Sequence, residues 1–164
     1  YEEGVDEKGI EFAKKKPEIV AASMAEFSKS RYGVDVLKLE VPINMKFVEG
    51  ASVCKGPAAY TRDEAKKLFL EAAKSTNKPF IYLSAGVSNE EFTETLALCA
   101  ESGVKYSGVL CGRATWKDGM PVYAKQGAKA FRDWMESVGV ENISNVNESL
   151  KSATSWFPIY GVKG

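Results

Sequence analysis

Histidine is absent from the 164 residues. The chain therefore holds no Ser-His-Asp triad, no Cys-His dyad and no HExxH zinc motif, and it offers no histidine ligand to a catalytic metal. Excess charge of one sign is also absent, since 22 Lys and Arg balance 22 Asp and Glu. That balance gives no electrostatic reason to expect nucleic acid or an anionic membrane as partner. No apolar run approaches the ~20 residues of a membrane span. The opening Tyr1-Glu2-Glu3-Gly4 lacks the basic start and apolar stretch of a signal peptide. Cysteines are few: Cys54, Cys99 and Cys111, an odd number with no CxxC pair. Neither a disulfide framework nor a zinc knuckle is indicated, and a reducing cytoplasm is the expected compartment. An initiating methionine is missing too, so the chain reads as a fragment, a processed product or an edited form.

What is present suits one globular domain. Hydrophobic residues make up 45% and charged residues 27%, and the length is enough for a proper core. A helix is expected over 17–29, with Pro17 at its first position and Ile19, Val20, Met24 and Phe27 at helical spacing. A buried strand follows over 34–42, stopped by Pro42. Thr61 and Glu64 form a capping-box pattern before a helix with Leu68, Phe69 and Ala73. A second strand spans 79–83. Ser88 and Glu91 suggest a second capping box, opening a helix with Phe92, Leu96 and Cys99 that ends at Gly103. A third strand covers 106–110. A helix over 121–138 carries Tyr123, Phe131, Trp134 and Met135 on its apolar side and stops at Gly139. A last helix covers 144–154, and the tail from Trp156 has no periodic pattern. Lys14-Lys15-Lys16 reads as a solvated helix start, and Trp134 and Trp156 read as core or seam anchors.

Alternating strands and helices imply parallel βαβ units, and continuous apolar strands imply burial on both faces. Three strands alone would leave two open edges. A (β/α)8 barrel, a TIM barrel, needs eight such units over typically ~250 residues. The expected fold class is therefore α/β, with residues 1–164 forming about the last three βα units of such a barrel.

Side chains alternate along a strand, so Leu37, Leu39 and Val41 share one face while Val36, Lys38 and Glu40 share the other. Two charged residues then point into an otherwise apolar setting, where Lys and Glu are rarely buried unless paired. One reading is an ion pair that fills the barrel interior. The other is an amine nucleophile near the carboxyl end of a barrel strand, where active sites of such barrels lie. Desolvation or a nearby cation lowers a lysine pKa enough for attack on a carbonyl, and Glu40 is placed to steady it or handle protons. Ser84-Ala85-Gly86 ends the second strand and Cys111-Gly112-Arg113 the third. Small residues admit an anion to backbone N–H groups, and Arg113 adds a bidentate guanidinium. Late βα loops commonly build a phosphate site in this barrel type.

Three blocks carry a family resemblance: Val36-Leu37-Lys38-Leu39-Glu40-Val41-Pro42-Ile43-Asn44-Met45-Lys46, Tyr82-Leu83-Ser84-Ala85-Gly86-Val87-Ser88 and Gly108-Val109-Leu110-Cys111-Gly112-Arg113-Ala114-Thr115-Trp116. Together with Val48-Glu49-Gly50 and the closing Ala153-Thr154-Ser155-Trp156, they resemble the successive blocks of tagatose-1,6-bisphosphate aldolases. The resemblance implies a class I aldolase on a (β/α)8 barrel that needs no metal or other cofactor. It implies that Lys38 forms an imine with tagatose 1,6-bisphosphate and that the products are dihydroxyacetone phosphate and glyceraldehyde 3-phosphate. It also implies that Ser84, Ala85 and Gly86, with Gly112 and Arg113, bind a substrate phosphate. By the same resemblance, Tyr1 follows directly on a strand that carries the general acid/base glutamate. The partners expected are thus a sugar phosphate and either the missing amino-terminal half or a second copy. Two other readings stay open: a related aldolase for another ketose phosphate, such as a sulfofructose phosphate, and a non-catalytic sugar-phosphate-binding module.

Overall fold

Each strand is short because a turn residue stops it, and each is followed by a helix that returns the chain to the same end of the sheet. The structure is a computed structural model and describes residues 4–163. The expectation that Tyr1 follows another strand lies outside these residues. Strand β1 (Leu37–Glu40), β2 (Phe80–Leu83) and β3 (Val109–Leu110) form one parallel sheet in the order β1-β2-β3. Helix α1 (Ile10–Phe27) precedes β1, α2 (Arg62–Ala73) links β1 to β2, and α3 (Asn89–Ser102) links β2 to β3. The third strand is shorter than the expected 106–110. Gly108 takes φ 143° and bends the backbone, although Ser107 N–H still donates to Phe80 O at 2.8 Å and Gly108 O accepts from Tyr82 at 3.1 Å. Thr61 and Glu64 close a complete capping box at α2. At α3 only half of the expected box forms, with Ser88 accepting from Glu91 N at 3.1 Å. Gly103 ends α3 in the left-handed region at φ 79°.

The two sheet faces differ sharply. Leu37, Leu39, Phe80 and Tyr82 are buried beneath the helices with Met24, Phe69, Phe92 and Leu96. Tyr82 sits amid Phe69, Phe80 and Tyr106, at ring-centroid distances of 6.0, 5.3 and 5.6 Å. Its hydroxyl is buried without a hydrogen-bond partner among the described residues, and burial pushes its pKa well above the ordinary tyrosine value. An orphaned buried hydroxyl costs desolvation with no return. Tyr82→Phe is therefore expected to leave stability unchanged or raise it by up to ~1 kcal/mol in urea denaturation. A loss larger than that would reveal a partner for the hydroxyl. The opposite face is open. In-register rows place Lys38 beside Ile81, and Glu40 beside Leu83 and Leu110. Lys38 and Glu40 are exposed, and Leu110 is 50% exposed. Parallel sheets are normally covered on both sides.

Helix α1 begins earlier than expected and contains Pro17 rather than starting at it. A mid-helix proline leaves the carbonyl four residues before it without an acceptor's usual donor. That carbonyl belongs to Ala13, and it accepts from the buried Tyr60 hydroxyl, 47 residues away. Burial also pushes the Tyr60 pKa to about 12. Tyr60→Phe should cost about 1–3 kcal/mol in the same assay, because the Ala13 carbonyl would then be buried without a donor; no loss would mean that water replaces the hydroxyl. The buried stripe of α1 is Ala13, Pro17, Val20 and Met24, while Ile19 and Phe27 are exposed, contrary to expectation. The Lys14-Lys15-Lys16 run is inside the helix, not at its start. The Lys16 side chain is only 13% exposed and pairs with Glu40 at 3.1 Å.

After β3 come α4 (Arg113–Trp116), a 3-10 turn Lys117–Gly119, α5 (Met120–Trp134), a π-helical turn Met135–Gly139 and α6 (Val140–Ser149). The expected stop at Gly139 and new start at 144 are both corrected, since the helix runs through. Gly139 keeps helical φ −61° and ψ −44°, and Met135 packs against it, a Cβ there lying 3.3 Å from Met135 Sδ. The break falls instead at Gly127, at φ 81° and ψ −174°. Trp134 and Phe131 close over Gly119, where a Cβ would meet them at 2.6 and 2.8 Å. Tyr123 is 52% exposed rather than apolar-side core. Trp156 meets Phe157 edge to face at a ring-centroid distance of 4.6 Å and is exposed rather than a core anchor. The tail is tied back by Thr154 N–H donating to Tyr106 O at 2.7 Å and by the Tyr160 hydroxyl donating to Asp35 O.

Candidate active site

Strand alternation places Lys38 on the open face of β1, as the sequence predicts. Its side chain is exposed. Lys38 lines a cavity of about 460 Å³ with Phe12, Lys16, Ile19 and Leu39. Glu40 borders the same cavity, but its ion-pair partner is Lys16 and not Lys38.

Beyond β2, Val87 N–H donates to Ser84 O at 3.2 Å and closes a four-residue turn. Both central residues have positive φ, Ala85 at 51° and Gly86 at 77°, as in a type I′ turn. Glycine takes that conformation readily, whereas for Ala85 it costs ~1–2 kcal/mol. Such strain persists only where the surroundings hold it, and it gathers at binding and catalytic sites. The Ala85 and Gly86 N–H groups donate to no protein acceptor among the described residues. Ser84 is buried, and Ser84 N–H donates to Leu110 O at 3.3 Å.

Beyond β3, Gly112 precedes α4, and Arg113 is its first residue. The exposed Arg113 guanidinium lies against Gly86, so close that a Cβ there would be 3.1 Å from Arg113 Cζ. The two turns are thus one assembly. Asn142 Nδ2 donates to Thr115 O at 2.9 Å, and Asn89 Nδ2 donates to Asn142 O at 3.0 Å, fixing α4 and α3 to α6. Burial pushes the Cys111 thiol up and a hydrogen bond with Ser84 pulls it back, which suits a structural thiol better than a nucleophile.

Two neighbours do not read as site residues from the sequence: Lys117, and Glu91, which reads there only as part of a capping box. Lys117 Nζ donates to Gly86 O at 2.8 Å. Glu91 is buried at 7% exposure; burial pushes its carboxyl up, while Lys46 and Lys117 pull it down. Position +4 from Arg113 is the one available signal for Lys117, although α4 ends at Trp116 and Lys117 opens the 3-10 turn after it. Lys117 and Glu91 line a cavity of about 490 Å³ with Asn44, Lys46, Ser84 and Gly86.

The register pairs Lys38 with Ile81, three residues before Ser84, so the turn lies about 10 Å farther along the strand direction. An extended lysine and a three-carbon phosphate span such a gap. Among the described residues no His, Cys, Asp and Glu group is arranged to hold a metal ion, and no helix is long and apolar enough to cross a membrane.

A strand lysine, a turn with two N–H groups unengaged among the described residues and a turn bearing an arginine thus share one parallel sheet. Residues 2–118 match the family model described as DeoC/LacD family aldolase, and the chain belongs to that family. It is 52% identical over 163 residues to a tagatose 1,6-diphosphate aldolase of Listeria monocytogenes, covering 98% of this chain and 48% of that protein. A Listeria innocua protein of the same name matches equally, at 52% over 163 residues. One from Staphylococcus aureus is 49% identical over 158 residues, covering 95% of this chain and 48% of that protein. The chain spans about half the length of the curated relatives it matches.

Proposed function

We propose that these residues form the carboxy-terminal part of a class I aldolase that cleaves tagatose 1,6-bisphosphate to dihydroxyacetone phosphate and glyceraldehyde 3-phosphate in the cytoplasm, without a metal. The Lys38 amine adds to the ketose carbonyl and water leaves. The protonated imine then draws in the electron pair of the carbon–carbon bond beyond the next carbon as that bond breaks, and an enamine remains. Protonation and hydrolysis return the amine. A base outside these residues takes the hydroxyl proton that cleavage requires. The Ala85 and Gly86 N–H groups, Ser84, Gly112 and Arg113 hold one phosphate, which fixes the carbonyl near the amine and removes orientational freedom.

One observation carries the proposal: the sheet register aligns Lys38 with the strand that ends in the Ser84–Gly86 turn, against which Arg113 rests. The open sheet face and the cavity along β1 support a (β/α)8 barrel completed by further strands of the same protein or by a second copy. Such strands would also desolvate Lys38. Dihydroxyacetone phosphate followed by borohydride should leave one reduced adduct, on Lys38, in the protein at its natural length. An adduct on another lysine, or none, would remove Lys38 from the mechanism.

A further inference from the structure

We propose that Lys117 is a positioning residue for the substrate phosphate, holding the Gly86 carbonyl so that the Ser84–Val87 turn presents only N–H groups to the anion. The inference rests on the reading of this turn as the phosphate site.

The turn has little to hold it in the required form. Its single internal hydrogen bond runs from Val87 N–H to Ser84 O at 3.2 Å, and Ala85 is in an unfavourable backbone region at φ 51°. A turn with glycine at a central position can rotate its peptide planes at small cost. Rotation about Gly86 would swing a carbonyl oxygen toward the anion and repel it. The Lys117 ammonium opposes this rotation by a charge-assisted hydrogen bond to Gly86 O at 2.8 Å.

Placement of the ammonium is itself determined. The stretch from Arg113 to Gly119, α4 and the 3-10 turn that follows it, brings both cations to Gly86: the Arg113 guanidinium packs against it and Lys117 donates to its carbonyl. That stretch is anchored by Asn142 on Thr115 O at 2.9 Å and by the packing of Trp134 and Phe131 on Gly119. Lys117 is half-buried, and its positive charge acts on the buried Glu91 carboxyl, whose pKa burial raises and Lys46 and Lys117 pull back down. The ammonium also adds positive potential next to the anion without touching it.

The test compares wild type, Lys117→Met and Lys117→Arg in the protein at its natural length. Inorganic phosphate is titrated by 31P NMR, and imine formation is trapped with dihydroxyacetone phosphate and, separately, with phosphate-free dihydroxyacetone. Lys117→Met should weaken inorganic phosphate binding and dihydroxyacetone phosphate trapping by about 10-fold, the scale of one charge-assisted hydrogen bond. Trapping of dihydroxyacetone should stay within about 2-fold of wild type, and Lys117→Arg should recover part of the phosphate affinity. Equal loss with both ketones, or phosphate affinity unchanged in Lys117→Met, would overturn the positioning role. Phosphate binding that follows Lys117 while no ketone is trapped would sustain this inference and sink the aldolase reading instead.

Discussion

Lys38→Arg should abolish aldol cleavage, lowering kcat/KM by at least ~10³-fold, while the protein stays folded and still binds phosphate. The substitution keeps the charge and nearly the length of the side chain. Arginine stays protonated in proteins and cannot supply a free amine. Lys38 is exposed on the open face of β1, and its strand is held by Leu37 and Leu39 on the other side, so the described residues give no reason for the fold to suffer. Triose phosphate release is the activity readout, and borohydride trapping with intact-mass detection is the chemical one. Both should fall together, with inorganic phosphate affinity unchanged. An active Lys38→Arg enzyme would transfer the imine to another amine or rule it out altogether. Lys8 and Lys16 border the same cavity and are the alternatives to test, Lys16 being engaged with Glu40.

The parts of the fold legible in the sequence are those fixed by neighbours within a few residues. The Thr61 and Glu64 box needs only one helical turn, and the alternation of Leu37, Lys38, Leu39 and Glu40 needs only one strand. Both turn sequences announced themselves by small residues at strand ends. What escaped depends on contacts distant in sequence. Pro17 reads as a helix start until the Tyr60 hydroxyl is seen to satisfy Ala13 O, 47 residues before it. Gly139 reads as a stop until Met135 packs over it, whereas Gly127, inside a helical pattern, carries the real break. Glu40 was read as a partner for Lys38 because both share a face, but α1 brings Lys16 to it from outside the strand. Lys117 offered only its spacing from Arg113, and its purpose appears once Gly86 O, 31 residues away, lies beneath it.

Gly86→Ala should raise KM for the bisphosphate by about 10–100-fold and change the fold little. Two effects act at the same place. Alanine at φ 77° is strained, by ~1–2 kcal/mol. The new methyl group would stand 3.1 Å from Arg113 Cζ, and the guanidinium, being exposed at the end of a flexible side chain, is the part that moves. A displaced guanidinium forfeits charge-assisted hydrogen bonds to phosphate, together worth about 1.5–3 kcal/mol, or roughly the stated range in affinity. Arg113→Ala should have a similar effect by direct removal. The double variant distinguishes this mechanism from general damage to the turn. If the methyl group acts through Arg113, Gly86→Ala adds little beyond backbone strain once the guanidinium is gone, so the two effects fall short of additivity. Full additivity in KM would mean that the turn and the arginine bind separately, and that their contact at Gly86 is packing alone. In the proposed site the Ala85 and Gly86 N–H groups and the guanidinium bind one phosphate together, so a shortfall from additivity is the expected result.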